Sequence, residues 1–240
     1  MKGSRSVATH VTEALLLRRV EYGEADLVVT LFTRALGRVA ALARGARKSQ
    51  RRFGGALEPF FTLSVRLEEK QSAELYVLSE SSITRPRIGL LSDLSRMQAA
   101  GRALSWVRAA SPPRTPEPEV WRLLESLLDN LSRPDRSADL ELGAAGLSLL
   151  AAFGWGIDFE RCVRCGKPCP AQQAASVDAE RGGLVCRACG GGRRKLSSAE
   201  RGRLARANAG DPDALEPEDA ALALELVERA LATHAGVEPG

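Results

Sequence analysis

Residues 11–81 read as strands, from runs in which apolar positions recur with a period of two. Leu27, Val29 and Leu31 alternate with Val28, Thr30 and Phe32, and Leu63, Val65 and Leu67 alternate with Thr62, Ser64 and Arg66. Ala73, Leu75 and Val77 repeat the pattern against Glu74 and Tyr76. Side chains two apart on an extended chain share a face, so each run predicts a strand with one face on a core. Gly23, Gly37, Gly45 and the pair Gly54-Gly55 fall between the runs, where turns are expected. The reading gives five strands, at 11–20, 24–34, 37–44, 56–68 and 72–81. Five short strands with no helix between them predict a small antiparallel barrel of the OB-fold or SH3-like kind.

Near Pro86 the period changes. Leu94, Met97, Ala100, Gly101, Leu104 and Val107 share one helical face. Pro112-Pro113 and Pro116 then interrupt the chain. Val120, Leu123, Leu124, Leu127, Leu128 and Leu131 follow the i, i+3, i+4, i+7 rule without a miss, and Pro134 ends that helix. Leu140 to about Phe153 is apolar nearly all round, which predicts the centre of a helical domain. A cysteine-bearing segment, 158–195, interrupts the helices. They resume at Ser197, where Ser197-Ser198-Ala199-Glu200 has capping-box spacing. Ala223, Leu226, Val227, Ala230 and Leu231 form the last stripe, with Pro217 near its start and Gly236 past its end. The expected organisation is an α+β multidomain chain. A β-barrel at 1–82 precedes an α-helical domain at 83–157 and 196–240, with a small cysteine module inserted at 158–195.

Cysteines add chemistry to that module. They run Cys162-x2-Cys165-x3-Cys169-x16-Cys186-x2-Cys189. Two CxxC pairs about 20 residues apart form the zinc-ribbon pattern. Each CxxC turn aims two thiolates at one point, and two turns complete a tetrahedron of soft ligands. The expected cofactor is one structural Zn²⁺ on Cys162, Cys165, Cys186 and Cys189. Cys169 is the spare thiol; it can replace Cys165, but Cys165 makes the matched pair. Gly166 and Gly190 follow the two pairs and permit tight turns. Four thiolates leave no open position for catalysis, and neither CxxC has the βαβ context of a redox motif.

Charge redraws the picture at the other end. The net charge is only +4, but residues 1–85 hold 14 Lys and Arg against 9 Asp and Glu, so +5 sits there and −1 in the rest. From Leu27 to Leu57 there is no acidic residue, and the stretch carries Arg34, Arg38, Arg44, Arg47, Lys48, Arg51 and Arg52. Seven like charges on a strand and its following loop repel one another, and a polyanion relieves the repulsion. Phe32, Phe53, Phe60 and Phe61 lie among them or close by; bases stack on such rings where they are exposed, and barrel cores also use them. The 29 Arg against 5 Lys fit either phosphate contact or a GC-rich codon bias.

Several classes are disfavoured. No GxxxxGK[ST] loop occurs, His10 and His234 have no nucleophile or carboxylate partner in sequence, and no general acid/base pair stands out, so an enzyme is not expected. No signal peptide is evident, and the longest apolar run, Ala144–Ile157, falls short of the ~20 residues that span a bilayer. A cytoplasmic, nucleoid-associated protein is expected.

The runs Tyr22-Gly23-Glu24-Ala25-Asp26-Leu27, Thr30-Leu31-Phe32-Thr33 and Gly37-Arg38 carry a family resemblance. So do Ala43-Arg44-Gly45-Ala46-Arg47-Lys48 and Arg52-Phe53-Gly54-Gly55-Ala56-Leu57-Glu58-Pro59-Phe60. Together they resemble the N-terminal domain of bacterial RecO recombination-mediator proteins. The similarity continues through Phe153-Gly154 and Cys162-Val163-Arg164-Cys165-Gly166 to the second CxxC, covering about residues 10–195. The resemblance implies an N-terminal OB-fold, an α-helical C-terminal domain and an inserted zinc module. It implies binding of single- and double-stranded DNA and annealing of complementary strands. It further implies partnership with RecR and single-stranded-DNA-binding protein in loading RecA, with a functional link to RecF, and no membrane partner. A basic barrel surface transfers onto Arg38, Arg44, Arg47, Lys48, Arg51 and Arg52; the metal follows from this sequence's own cysteine spacing. The alternatives are a zinc-containing scaffold with an incidental basic surface, an enzyme acting on nucleic acid, and a transcription- or ribosome-associated zinc ribbon.

Overall fold

The period-two runs close into a barrel because each strand finds apolar partners on both sides. In a computed structural model, which describes residues 8–53, 56–69, 75–211 and 213–237, five strands form the first unit. They are β1 (Ala8–Tyr22), β2 (Asp26–Thr33), β3 (Gly37–Ala43), β4 (Thr62–Glu69) and β5 (Tyr76–Arg85), with a short helix α1 (Gln50–Phe53) between β3 and β4. The barrel closes in the order β1-β2-β3-β5-β4. Neighbours are antiparallel except β3 and β5, which run parallel. This is an OB-fold barrel. β1 is long enough to serve both β2 and β4, and its ladder to β2 shifts register between Leu16 and Arg18. Such a bulge bends a strand and lets it serve two neighbours in a small barrel.

Leu16, Val29, Leu31, Val39, Leu63, Val65, Leu67 and Leu78 fill the interior. Leu57 and Phe61 join them from the chain that leads into β4. That segment, expected as strand from residue 56, enters β4 only at Thr62, because Phe60 turns the chain with φ 77°. The buried Arg87 guanidinium donates to the Phe60 carbonyl and the Thr62 hydroxyl, both at 3.0 Å, and holds that turn. A second difference lies in β5. Leu75 and Val77 were expected to face the core, but Tyr76 and Leu78 do, at 5% and 1% exposure. Leu78 pairs with the core residue Leu67, which fixes the opposite parity. Ala73 and Glu74 lie outside the described residues.

The barrel unit extends to Ile88 and includes Ser111–Trp121. That returning segment lies on the outside of the β2–β3 hairpin. Trp121 meets Phe32 with ring centroids 6.0 Å apart, and Arg38 forms a β-bridge to Pro113. Gly37 has φ 66°, and a Cβ there would stand 1.8 Å from the Thr115 carbonyl oxygen, so the close approach requires glycine.

The second unit comprises Gly89–Ala110 and Arg122 onward. Its helices are α2 (Leu94–Ala110), α3 (Pro118–Leu131, whose first turn belongs to the barrel unit), α4 (Ala138–Ala152), α5 (Ser198–Asn208) and α6 (Ala220–Ala235). α4, apolar all round, is central and packs on α2, α5 and α6. The α2 stripe begins later than expected. Leu94 is 70% exposed, and the buried face runs from Ala99 and Ala100 to Leu104 and Val107. The capping box of α5 forms: the Ser197 hydroxyl accepts from the Glu200 N–H at 3.2 Å, and the Glu200 carboxylate accepts from the Ser197 N–H at 2.7 Å. A small sheet, β6 (Asp158–Cys162), β7 (Ala175–Asp178), β8 (Gly183–Val185) and β9 (Arg194–Leu196), is ordered β6-β8-β7-β9 and carries the cysteines.

Candidate nucleic-acid interface and metal centre

The basic loop is positioned by the turn between β1 and β2. The Asp26 carboxylate accepts from the Gly45 N–H at 2.7 Å, and the Ala25 carbonyl accepts from the Arg47 N–H at 3.0 Å. The Gly45 carbonyl in turn accepts from the N–H groups of Lys48 and Ser49. Arg52, on α1, donates to the Arg44 carbonyl at 2.8 Å and folds the helix back on the end of β3. The turn motif Tyr22–Asp26 and the basic loop are therefore one structure, although 19 residues separate Asp26 from Gly45.

The seven basic residues do not form one cluster. Arg34 lies at the β2–β3 turn and Arg38 in β3 beside it, whereas Arg44, Arg47, Lys48 and Arg52 lie past the far end of the ladder. The ladder from Thr33–Gly37 to Leu27–Ala43 is six steps long, roughly 20 Å at the usual rise per residue. The Arg51 side chain lies outside the described residues. The absence of acids from 27–57 also does not hold in space, because β1 supplies them. Arg34 pairs with Glu13 at 2.9 Å and Arg47 with Glu21 at 3.2 Å. Arg38 donates from Nε to the Ser111 carbonyl at 2.7 Å and is half-buried. Arg44, Lys48 and Arg52 are exposed and have no carboxylate partner among the described residues. Phe32, Phe53, Phe60 and Phe61 are all buried, at 0%, 2%, 7% and 8% exposure, so none offers a stacking face.

Three residues on β1 belong to the same surface. Arg18 stands opposite Thr30, Val20 opposite Val28, and Tyr22 opposite Asp26. The registers place Val20, Val28, Leu42 and Val77 in one row across four strands on the outer face. Val20 and Tyr22 are 44% and 60% exposed, and the other three of the row are half-buried. Exposed Arg18 borders the row on one side and Arg44 on the other. The Arg18-Arg19 pair in mid-strand was the available signal. Arg19 points elsewhere, to Glu58 at 2.6 Å and the Leu57 carbonyl at 2.9 Å.

In the small sheet the two CxxC pairs converge. The sulfurs of Cys162, Cys165, Cys186 and Cys189 all lie within 4.8 Å of one another. Cys165 and Cys186 are 3.8 Å apart and all five cysteines are free thiols. A tetrahedral ion with metal–sulfur bonds of about 2.3 Å has sulfur–sulfur edges of about 3.8 Å. The four thiols can thus hold a metal ion. Gly166 and Gly190, at φ 71° and 97°, complete the turns that bring the pairs together. The Cys186 N–H donates to Cys162 Sγ at 3.3 Å. That bond, with further N–H groups of Arg164 and Cys165, lowers the Cys162 thiol to about 6. Cys189 is raised to about 12 by hydrogen bonds to the Cys186 and Cys165 thiols and by burial, so its thiolate needs a cation's help. Arg164 donates to the Cys189 carbonyl at 2.6 Å and ties one turn to the other. Cys169 stands outside the cluster; its N–H donates to the Glu160 carbonyl at 2.8 Å, and burial raises its thiol.

The chain matches the family model described as Recombination protein O N terminal over residues 7–87. It matches that described as Recombination protein O C terminal over residues 91–239. Among curated proteins it is similar to the DNA repair protein RecO of Anaeromyxobacter sp. (strain K), 41% identical over 179 residues, or 74% of this chain and 69% of that one. The RecO of Pelobacter propionicus is 37% identical over 227 residues, 93% and 91% of the two chains. That of Myxococcus xanthus is 39% identical over 178 residues, 74% and 71%.

Proposed function

The chain belongs to the RecO family of DNA repair proteins, and on that premise we propose that its barrel holds DNA and that the protein acts as a recombination mediator. The observation that carries the reading is the open end of the outer barrel face. An apolar row, Val20–Val28–Leu42–Val77, has Arg18 on one side and Arg44 on the other, and the loop and helix after Arg44 add Lys48 and Arg52; none of the four has a carboxylate partner among the described residues. OB-folds hold oligonucleotides on the face of their second and third strands. Phosphates would meet the guanidinium and ammonium groups, and sugars and bases would lie on the apolar row. Exposed Tyr22 supplies an aromatic ring at its edge.

The mode of action is binding, without bond-making chemistry. Complementary strands repel through their phosphates, and a basic face that holds one strand with its base edges free lowers the barrier to annealing. Both single- and double-stranded DNA offer the phosphates the face needs. The working partners are RecR and single-stranded-DNA-binding protein, with RecA loading as the outcome and a functional link to RecF, in the cytoplasm at the nucleoid. We assign Zn²⁺ to Cys162, Cys165, Cys186 and Cys189, whose four soft donors and sulfur spacing fit it. Bound there it supplies cross-linking of the two turns, and the residues around it shape the small sheet. No helix among the described residues is long and apolar enough to cross a membrane.

Fluorescence anisotropy of labelled single-stranded DNA over a salt series tests the reading. The expected result is tight binding with a steep salt slope, reduced by about 2 in log–log units in Arg44→Ala/Lys48→Ala/Arg52→Ala, at about 0.7 per phosphate contact. Negligible binding by the wild type at moderate salt would instead support a scaffold role for the zinc module and helical domain.

A further inference from the structure

The small sheet carries a cleft that the barrel reading does not use. Its volume is about 720 Å³, within the range of small-ligand sites, and it lies between the segment after Cys165, the second CxxC and α5. Its lining includes Arg187, Lys195 and Arg201 and no carboxylate. Arg187 and Lys195 are exposed and have no ion-pair partner among the described residues. Arg201 is 4% exposed, and its guanidinium donates to the carbonyls of Phe159, Cys169 and Pro170 at 2.7, 2.6 and 2.7 Å. Carbonyls solvate that charge without cancelling it, so the cleft keeps a fixed positive floor beneath two mobile cations. The wall is apolar, with Pro170, Val185 and Ala188, and Gln173 and Ser176 bring amide and hydroxyl groups to it.

We propose that this cleft is a second DNA contact, taking a nucleotide unit of a single strand. The phosphate would lie on Arg187 and Lys195, the base or sugar on the apolar wall, and Gln173 or Ser176 would hydrogen-bond either. No aromatic ring lines the cleft, so its binding is weak by itself and sequence-tolerant. It gains from attachment to a chain that also binds DNA elsewhere, because the second contact is intramolecular. The inference rests on the DNA-binding reading of the chain but not on the barrel as the site.

The test is the anisotropy salt series on the full, zinc-loaded chain with labelled oligothymidylate. It compares wild type, the barrel variant Arg44→Ala/Lys48→Ala/Arg52→Ala, and the cleft variant Arg187→Glu/Lys195→Glu. Zinc stoichiometry is measured on each. Because Arg187 lies between two thiols, Gln173→Glu, an exposed change away from both pairs, is run beside it. The expected result is a cleft variant with its salt slope reduced by about 1.4, zinc retained, and a smaller loss in the same direction for Gln173→Glu. A change in the barrel variant with none in either cleft variant would overturn the inference and leave the barrel site standing. A loss in the cleft variants alone would uphold the cleft and remove the barrel site, and no change in any variant would remove both. Displacement of the oligonucleotide by micromolar thymidine monophosphate, in wild type only, would overturn the strand reading in favour of a free nucleotide. Cleft-dependent binding of an Asp/Glu-rich peptide, with DNA slopes unchanged, would overturn it in favour of a protein partner.

Discussion

The two ends of the β2–β3 hairpin have similar basic composition but differ in how many of their cations the fold engages. At the turn end, Arg34 is paired with Glu13, Arg38 is tied to the Ser111 carbonyl, and Phe32 lies under Trp121. At the far end Arg47 is paired with Glu21, but Arg44, Lys48 and Arg52 are exposed without a carboxylate partner among the described residues. The contrast shows that a positive residue's role depends on what the fold brings to it, not on its neighbours in sequence. At one end Arg34 is neutralised by β1 and Arg38 holds the returning segment; at the other Arg47 is neutralised by β1, and the proposed function gives Arg44, Lys48 and Arg52 to a polyanion.

The largest expected effect lies outside the hairpin, in loss of the proposed metal. Cys162→Ala, or a strong chelator under reducing conditions, should remove about 10–16 kcal/mol of apparent metal-binding free energy from the small sheet. The barrel has its own core, so thermal denaturation should show the sheet's transition lost and the barrel's kept, with zinc content falling in parallel. Next is Phe32→Ala, which should destabilise the covered end by about 3–5 kcal/mol in denaturant unfolding, since the ring is fully buried. Arg38→Ala should cost about 1.5–3 kcal/mol of stability through its bond to Ser111 and leave the DNA salt slope unchanged.

Asp26→Ala sharpens the comparison differently. It removes a negative charge beside the basic loop, so charge alone predicts tighter DNA binding. Because its carboxylate holds the Gly45 N–H, the loop should lose its position and affinity should fall several-fold; tighter binding would show that only net charge matters. The smallest effect is at α5. Ser197→Ala should cost about 1 kcal/mol. Hydrogen bonds from the Ser197 backbone and side chain hold the Glu200 carboxyl below its usual range. A lowered carboxyl contributes stability above its unfolded value, about 4.3, and loses it as pH falls through the folded value. Wild type should therefore lose this increment in acid unfolding below about pH 4.3, and Ser197→Ala should lose less.

Much of this was legible in the sequence, and the gaps have physical causes. Strand alternation, the α3 stripe, the Ser197 cap and the converging CxxC pairs are local patterns, and local patterns survive folding. The parity of β5 was not legible, because Ala73, Leu75 and Val77 alternate as well as Tyr76 and Leu78 do, and only pairing with Leu67 decides. The neutralisation of Arg34 and Arg47 needed Glu13 and Glu21, which β1 brings across the sheet. Phe32 reads as an outward strand residue and is one, yet it is buried by Trp121, 89 positions later in the chain. The role of Arg18 is not legible locally, because its surface exists only after β1 pairs with β2.

The most direct test of the account is a side-by-side salt series on single-stranded DNA for the two ends of one hairpin. It compares Arg34→Ala/Arg38→Ala with Arg44→Ala/Lys48→Ala, two cations removed from each. The expected result is a slope reduced by about 1.4 for the far-end pair and a wild-type slope for the turn-end pair. Equal losses for the two variants, or a larger loss at the turn end, would contradict it.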